Sequence, residues 1–264
     1  MRKLIFGILA LLLLVSCSSY QKALKSEDLG VKYDMATKMY EKGKFMKAIR
    51  LFEQIAPSYR GKPQAEKMFY MYSKSLYNTN QFYSAGYQFE SFNSNYPKSE
   101  KAEEAAFLGA KSYAKLSPRY SLDQVDTYKA IDKLQAFINE YPNSGFLPEA
   151  NDIAKELREK LEKKSFEIAK QYNLIEDYKS ALVALDNFVV DYPGTPYKEA
   201  ALYYKLDSAY NLAINSVTSK MQERLGNAKA AYQALVKFKA DTEYKEKADK
   251  MLARIENDLQ KYSK

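Results

Sequence analysis

Residues 85–99 read Ala85-Gly86-Tyr87-Gln88-Phe89-Glu90-Ser91-Phe92-Asn93-Ser94-Asn95-Tyr96-Pro97-Lys98-Ser99, and their spacing decides the fold. From the small residue Ala85, a large apolar residue follows at +4 (Phe89), another at +7 (Phe92), and a proline at +12 (Pro97). Offsets of four and seven put these side chains on one face of an α-helix. The proline stops that helix, because it lacks an amide proton and its ring clashes with the preceding turn. Ser99 then offers a hydroxyl with which the next helix can begin. The stretch predicts a helix, a turn and a second helix.

The register recurs along the chain. Ala130, Leu134, Phe137 and Pro142 repeat it, as do Ala181, Leu185, Phe188 and Pro193. Ala48, Phe52 and Ile55 keep the apolar positions with Arg60 in place of proline, and Ala231, Leu235 and Phe238 do so with Glu243. The central copies each carry tyrosine before the proline and a hydroxyl residue after it: Tyr96-Pro97-Lys98-Ser99, Tyr141-Pro142-Asn143-Ser144 and Tyr192-Pro193-Gly194-Thr195. Such units bury their apolar faces only by stacking on neighbours, so the expected fold class is all-α, a solenoid of about five helix–turn–helix units. The spacing resembles the second helix of a tetratricopeptide repeat. In that family a small residue lies twelve positions upstream, on the first helix, and Ala36, Ser73 and Ala169 occupy that place. Pro118 stands there in the third copy, which moves its first helix back to about Ser99–Tyr113, around Ala110, and leaves Ser117-Pro118-Arg119-Tyr120-Ser121 as an inserted loop. Asn143–Ile175 reads as a long charged helix linking N-terminal repeats (28–142) to C-terminal repeats (143–264). Residues 217–226 are open between a loop and a short helix.

Composition narrows the chemistry. The chain has 264 residues with 24 Tyr and 13 Phe, enough aromatic surface to build a core, but only 9 Gly, one Cys and no His. That excludes Ser-His-Asp and Cys-His triads, His-bearing zinc sites and an intrachain disulfide. Few glycines argue against a phosphate-cradling loop. Glu103, Glu104, Glu140 and Asp186 could supply the paired carboxyls of a glycosidase, but each is expected on a solvated helix surface. No catalytic residue, metal ligand or cofactor is therefore assigned, and the chain is not expected to be an enzyme. Its basic excess is spread without a Lys/Arg block, so no nucleic-acid partner is expected.

The N-terminus gives an address. Arg2-Lys3 precede the apolar run LIFGILALLLLV (4–15), too short to span a bilayer and suited to a secretory leader. Residues 14–17, LVSC, resemble a bacterial lipobox. The resemblance implies cleavage after Ser16, a leader of 1–16, lipid attachment at Cys17 and a tether of 17–27. Acyl chains on Cys17 would anchor the protein stably at about 0.8 kcal/mol per buried methylene. Without the leader, the formal charge of +8 falls to +6, since only Arg2 and Lys3 are lost. Ser18-Ser19-Tyr20-Gln21-Lys22 carries neither an inner-membrane retention Asp nor an acidic export cluster, which points to the outer membrane, periplasmic face.

The lipobox, the Tyr-Pro endings and the segment Ser117-Pro118-Arg119-Tyr120-Ser121-Leu122-Asp123-Gln124 ahead of Ala130 together resemble the BamD family, the tetratricopeptide lipoproteins of the outer-membrane β-barrel assembly machinery. That resemblance implies a non-catalytic scaffold. Its C-terminal repeats would dock on the periplasmic domain of the barrel insertase subunit, among accessory lipoproteins, and its N-terminal repeats would receive unfolded outer-membrane proteins. The alternative is a tetratricopeptide lipoprotein coordinating cell-envelope or cell-wall synthesis or secretion. In a tetratricopeptide unit, positions −3, +1 and +4 from the small residue of the first helix line a groove, which nominates Tyr33, Thr37 and Tyr40 around Ala36 and Tyr70, Lys74 and Tyr77 around Ser73. Rigid tyrosines and one lysine suit an extended peptide with aromatic side chains and a terminal carboxylate. The competing expectation is that these tyrosines pack against neighbouring helices.

Overall fold

A computed structural model describes residues 19–262. The leader and the lipid-attachment residue Cys17 lie outside the described residues. After a helical stretch at 19–25, the chain runs through α1 (Leu29–Glu41), α2 (Phe45–Tyr59), α3 (Ala65–Asn78), α4 (Phe82–Asn95), α5 (Ala102–Leu116), α6 (Val125–Glu140), α7 (Leu147–Leu174), α8 (Tyr178–Asp191), α9 (Lys198–Ile214), α10 (Thr218–Phe238) and α11 (Lys245–Gln260). No strand occurs among the described residues. Odd-numbered helices from α1 to α9 are the first helices of the repeats and even-numbered ones the second, and α11 adds a terminal helix that packs on α9 and α10. The fold is an all-α tetratricopeptide-like solenoid.

The repeat residues occupy the core. Ala48, Phe52 and Ile55, then Ala85, Phe89 and Phe92, then Ala130, Leu134 and Phe137, then Ala181, Leu185 and Phe188 are all buried. So are the first-helix small residues Ala36, Ser73 and Ala169, together with Ala110 in the displaced first helix of the third unit. Burial of a Phe or Leu side chain contributes about 1.5–3 kcal/mol, so these knobs carry much of the stability. Phe238 departs from the pattern: the fifth-copy residue at +7 is 48% exposed. Residues 218–225 are helical and continue through Gly226, so α10 is long, and its buried contacts come from Leu225, Ala228, Ala231 and Leu235.

Each Tyr-Pro ending forms the same joint. The amides of Tyr96, Tyr141 and Tyr192 donate to the carbonyls of Phe92, Phe137 and Phe188 at 2.8, 2.9 and 3.0 Å, closing the helices. The tyrosine ring folds back on that phenylalanine at 5.3, 5.5 and 5.3 Å. The hydroxyl residue then forms a turn of its own. Ser99 Oγ accepts from the Lys101 amide and Ser144 Oγ from the Phe146 amide, both at 3.0 Å. The same hydroxyls donate backwards to the second residue of the preceding first helix, Ser99 to Glu66 at 2.6 Å and Ser144 to Glu103 at 2.5 Å. Thr242 repeats the arrangement, accepting from the Tyr244 amide at 3.3 Å and donating to Glu199 at 2.6 Å. These hydroxyls clasp one repeat to the previous one, a role beyond the expected helix start.

The described chain divides into two compact units. One comprises the chain up to Pro118 with Asp123–Leu157, and the other Arg119–Leu122 with Arg158 onward. The division falls inside α7, because Ala150, Ala154 and Leu157 belong to the core that holds Phe89 and Phe137. In the first unit α4 and α5 approach closely through Gly86 and Gly109: a β-carbon on Gly109 would lie 3.2 Å from that of Phe89. The second unit is built around Phe166, Leu185 and Phe188 and around Leu206, Leu235 and Ile255. In the inserted loop, Lys164 Nζ donates to the Leu122 carbonyl at 2.6 Å, and Lys163 lies over the Tyr120 ring at 4.5 Å. On the first unit's side, Gln124 is buried and accepts a hydrogen bond from the Thr127 hydroxyl at 2.8 Å.

Candidate functional site

Packing of the first helices decides which nominated side chains meet. On α1, burial of Ala36 and Met39 turns Tyr33, Thr37 and Tyr40 to the partly buried flank. Tyr33 stacks on Tyr59 of its own partner helix, with centroids 5.3 Å apart and planes 10° off parallel. The Thr37 hydroxyl is buried without a hydrogen-bond partner among the described residues. Tyr40 meets Phe45 edge-on at 5.8 Å, and Tyr77, one repeat later, meets Phe82 edge-on at 5.7 Å. Tyr70 leans on Phe92 at 5.8 Å. Each tyrosine is thus fixed on one side by its neighbouring helix and partly exposed on the other.

Lys74 is the cation of this surface, and it is paired. Its ammonium forms an ion pair with Glu104 of α5 and donates to the Tyr70 hydroxyl at 3.4 Å. Lys101 approaches the other Glu104 oxygen at 3.6 Å and lies 5.7 Å over the Tyr70 ring. Burial pushes the Glu104 carboxyl up, but the hydrogen bonds from Lys74 and Tyr70 and the lysine charges outweigh it and hold the group below its ordinary value. Burial first, and the Glu104 carboxylate second, raise the Tyr70 hydroxyl far above the usual phenol range and push Tyr40 up in the same direction. Further along the face, Lys111 pairs with Glu149 of α7 at 2.5 Å.

A cleft of about 420 Å³ opens beside this cluster, floored by Tyr40, Tyr70, Met71 and Phe92 and rimmed by Lys67 and Lys101. An aromatic and thioether floor accepts flat or irregular apolar groups, and the rim supplies charge for orientation. The structure brings Tyr40 and Tyr70 together in this cleft, with Lys74 beside it on the Tyr70 hydroxyl and Tyr77 further along α3. Tyr33 is turned to Tyr59 and Thr37 into the packing. Sequence reasoning missed the part Glu104 plays. Its one visible signal was the acidic pair Glu103-Glu104, which reads as surface charge, whereas Glu103 holds Ser144 and Glu104 reaches α3. Asp186, another carboxyl considered for catalysis, is ion-paired with Lys205. No cluster of metal-ligating residues, and no helix long and apolar enough to cross a membrane, occurs among the described residues.

The YfiO family, described as outer membrane lipoprotein, matches residues 26–176 and 174–263. A protein of Aquifex aeolicus (strain VF5) that carries the name of the outer membrane protein assembly factor BamD is 25% identical over 205 residues, or 75% of this chain. The match covers 65% of that relative's length, just under two thirds. With the family match running from the first repeat to the terminal helix, the chain belongs to the YfiO family of outer membrane lipoproteins.

Proposed function

We propose that this protein is a non-catalytic scaffold lipoprotein of outer-membrane β-barrel assembly, held at the periplasmic face of the outer membrane by lipid on Cys17. In this reading the C-terminal repeats dock on the periplasmic domain of the barrel insertase subunit, where accessory lipoproteins join. The N-terminal repeats receive unfolded outer-membrane proteins through the face that carries Tyr40, Tyr70, Lys74 and Tyr77. The family match over nearly the whole described chain carries the proposal. The aromatic-floored cleft among the first helices supports the receiving role, since an extended segment with aromatic side chains finds both apolar contact and charge there.

Two experiments test it. Affinity purification of the lipidated protein from detergent-solubilised outer membranes, followed by mass spectrometry, is expected to recover the barrel insertase. Its absence, with cell-wall or secretion proteins in its place, would replace the reading with an envelope-coordination role. Titration of a labelled barrel C-terminal peptide is expected to weaken when Tyr40 and Tyr70 are changed to Ala. Unchanged affinity in a folded variant would remove the groove.

A further inference from the structure

We propose that Glu104 is a built-in stand-in for a ligand carboxylate: it pairs with Lys74 and Lys101 beside the cleft and must be displaced before a peptide's terminal carboxylate can reach those cations. This rests on the groove reading above and specifies how that groove is regulated. Glu104 lies on α5 and reaches across to Lys74 of α3 with one carboxylate oxygen, Lys101 at the start of its own helix approaches the other at 3.6 Å, and Lys74 also donates to the Tyr70 hydroxyl. A side-chain carboxylate and a peptide α-carboxylate are the same chemical group, so a site shaped for one accepts the other. Lys74 and Glu104 each retain 26% side-chain exposure and Lys101 retains 55%, so the cluster is open to exchange.

Charge around the cleft follows the same logic. Lys67 and Lys101 line the cleft together with Glu41 and Glu66, and the adjoining Lys74–Glu104 pair is itself neutral. Glu66 is engaged by the Ser99 hydroxyl of the inter-repeat clasp, and Glu104 alone among the three acids closes on Lys74. Removing the Glu104 charge, or swinging it aside, leaves one positive charge beside a floor of Tyr40, Tyr70, Met71 and Phe92. That combination matches a peptide ending in an aromatic residue and a free carboxylate. An intramolecular competitor acts at an effective concentration in about the millimolar range, so a ligand wins only when its apolar residues also fill the cleft. Glu104 thereby screens out isolated acidic side chains and keeps the hold on a true ligand weak enough for release.

The test uses the full chain and two labelled synthetic peptides of one alternating apolar sequence, both ending in Phe, one with a free carboxylate and one with a carboxamide. Fluorescence anisotropy is measured on the wild type, Glu104→Gln, and Glu104→Gln combined with Lys74→Met. Glu104→Gln is expected to bind the free acid about tenfold more tightly, with the amide unchanged, and the added Lys74→Met change is expected to abolish that gain. Equal gains for acid and amide, or no gain in a variant whose melting curve shows a folded protein, would overturn the proposal and leave the pair a structural bridge between α3 and α5. Binding of neither peptide to any of the proteins would remove the groove reading itself, an outcome separate from peptide binding that ignores Glu104.

Discussion

Phe188 and Phe238 occupy the same position of the repeat motif, yet the structure assigns them different energies. Phe188 is 1% exposed, with its ring 5.7 Å from Phe166 and 5.3 Å from Tyr192. Truncation to Ala removes the transfer free energy of the ring and leaves a cavity between helices that cannot close fully, a loss of about 3–5 kcal/mol. Phe238 is 48% exposed, and its identified ring partner is the Lys198 ammonium at 5.3 Å. Half of a Phe burial, plus a surface cation–π contact, comes to about 1–2 kcal/mol. Both residues lie in the second compact unit, so one transition reports both. Thermal melting is followed by circular dichroism on protein lacking residues 1–17. At about 4–8 °C per kcal/mol for a unit of this size, Phe188→Ala is expected to lower the midpoint by more than about 12 °C and Phe238→Ala by several degrees. Equal losses would refute the argument, because the motif would then set the energy irrespective of exposure.

Two further outcomes follow from other sites. Gly86→Ala adds a β-carbon 3.0 Å from two atoms of the Tyr113 ring, which is held by a 3.0 Å hydrogen bond from its hydroxyl to Glu90 and by Lys129 at 4.3 Å from its centroid. The overpacking cost of about 1–3 kcal/mol should exceed the roughly 1 kcal/mol that Ala gains over Gly in a helix, and a raised melting midpoint would refute this. The Glu104 carboxyl is held below its ordinary value of 4.5 in the folded protein, so its contribution to stability is present above that pH and is lost as pH falls through the folded value. The stability gap between wild type and Glu104→Gln should therefore be widest near neutrality and close in acid, and a gap constant across an acid titration of melting points would contradict it.

Much of the fold was legible because helix periodicity is local. Offsets of four and seven from Ala85, Ala130 and Ala181 specify a buried face without knowledge of what covers it, and Tyr-Pro marks the helix end through backbone chemistry alone. The displaced first helix of the third unit was readable for the same reason, since Pro118 cannot sit inside it. Phe238 was misleading, because a motif gives the direction of a side chain on its helix and says nothing about whether a neighbour lies there. Of the candidate face, the tyrosines and Lys74 were visible as helix positions. The Lys74–Glu104 pair was not, since its members come from different repeats 30 residues apart.

The sequence by itself determined the helical class, the repeat register, the absence of histidine and disulfide chemistry, and the lipobox resemblance at Cys17, all properties of composition or of neighbours within a few turns. Only the tertiary structure decided that Ser99, Ser144 and Thr242 clasp acids of the preceding repeat, that Tyr33 belongs to Tyr59, and that Glu104 closes on Lys74 beside the cleft. Those contacts depend on how stacked helices present their flanks to one another. That geometry is set by side-chain volumes packed across repeats, such as the approach of α4 to α5 at Gly86 and Gly109, and no periodicity along a single helix encodes it.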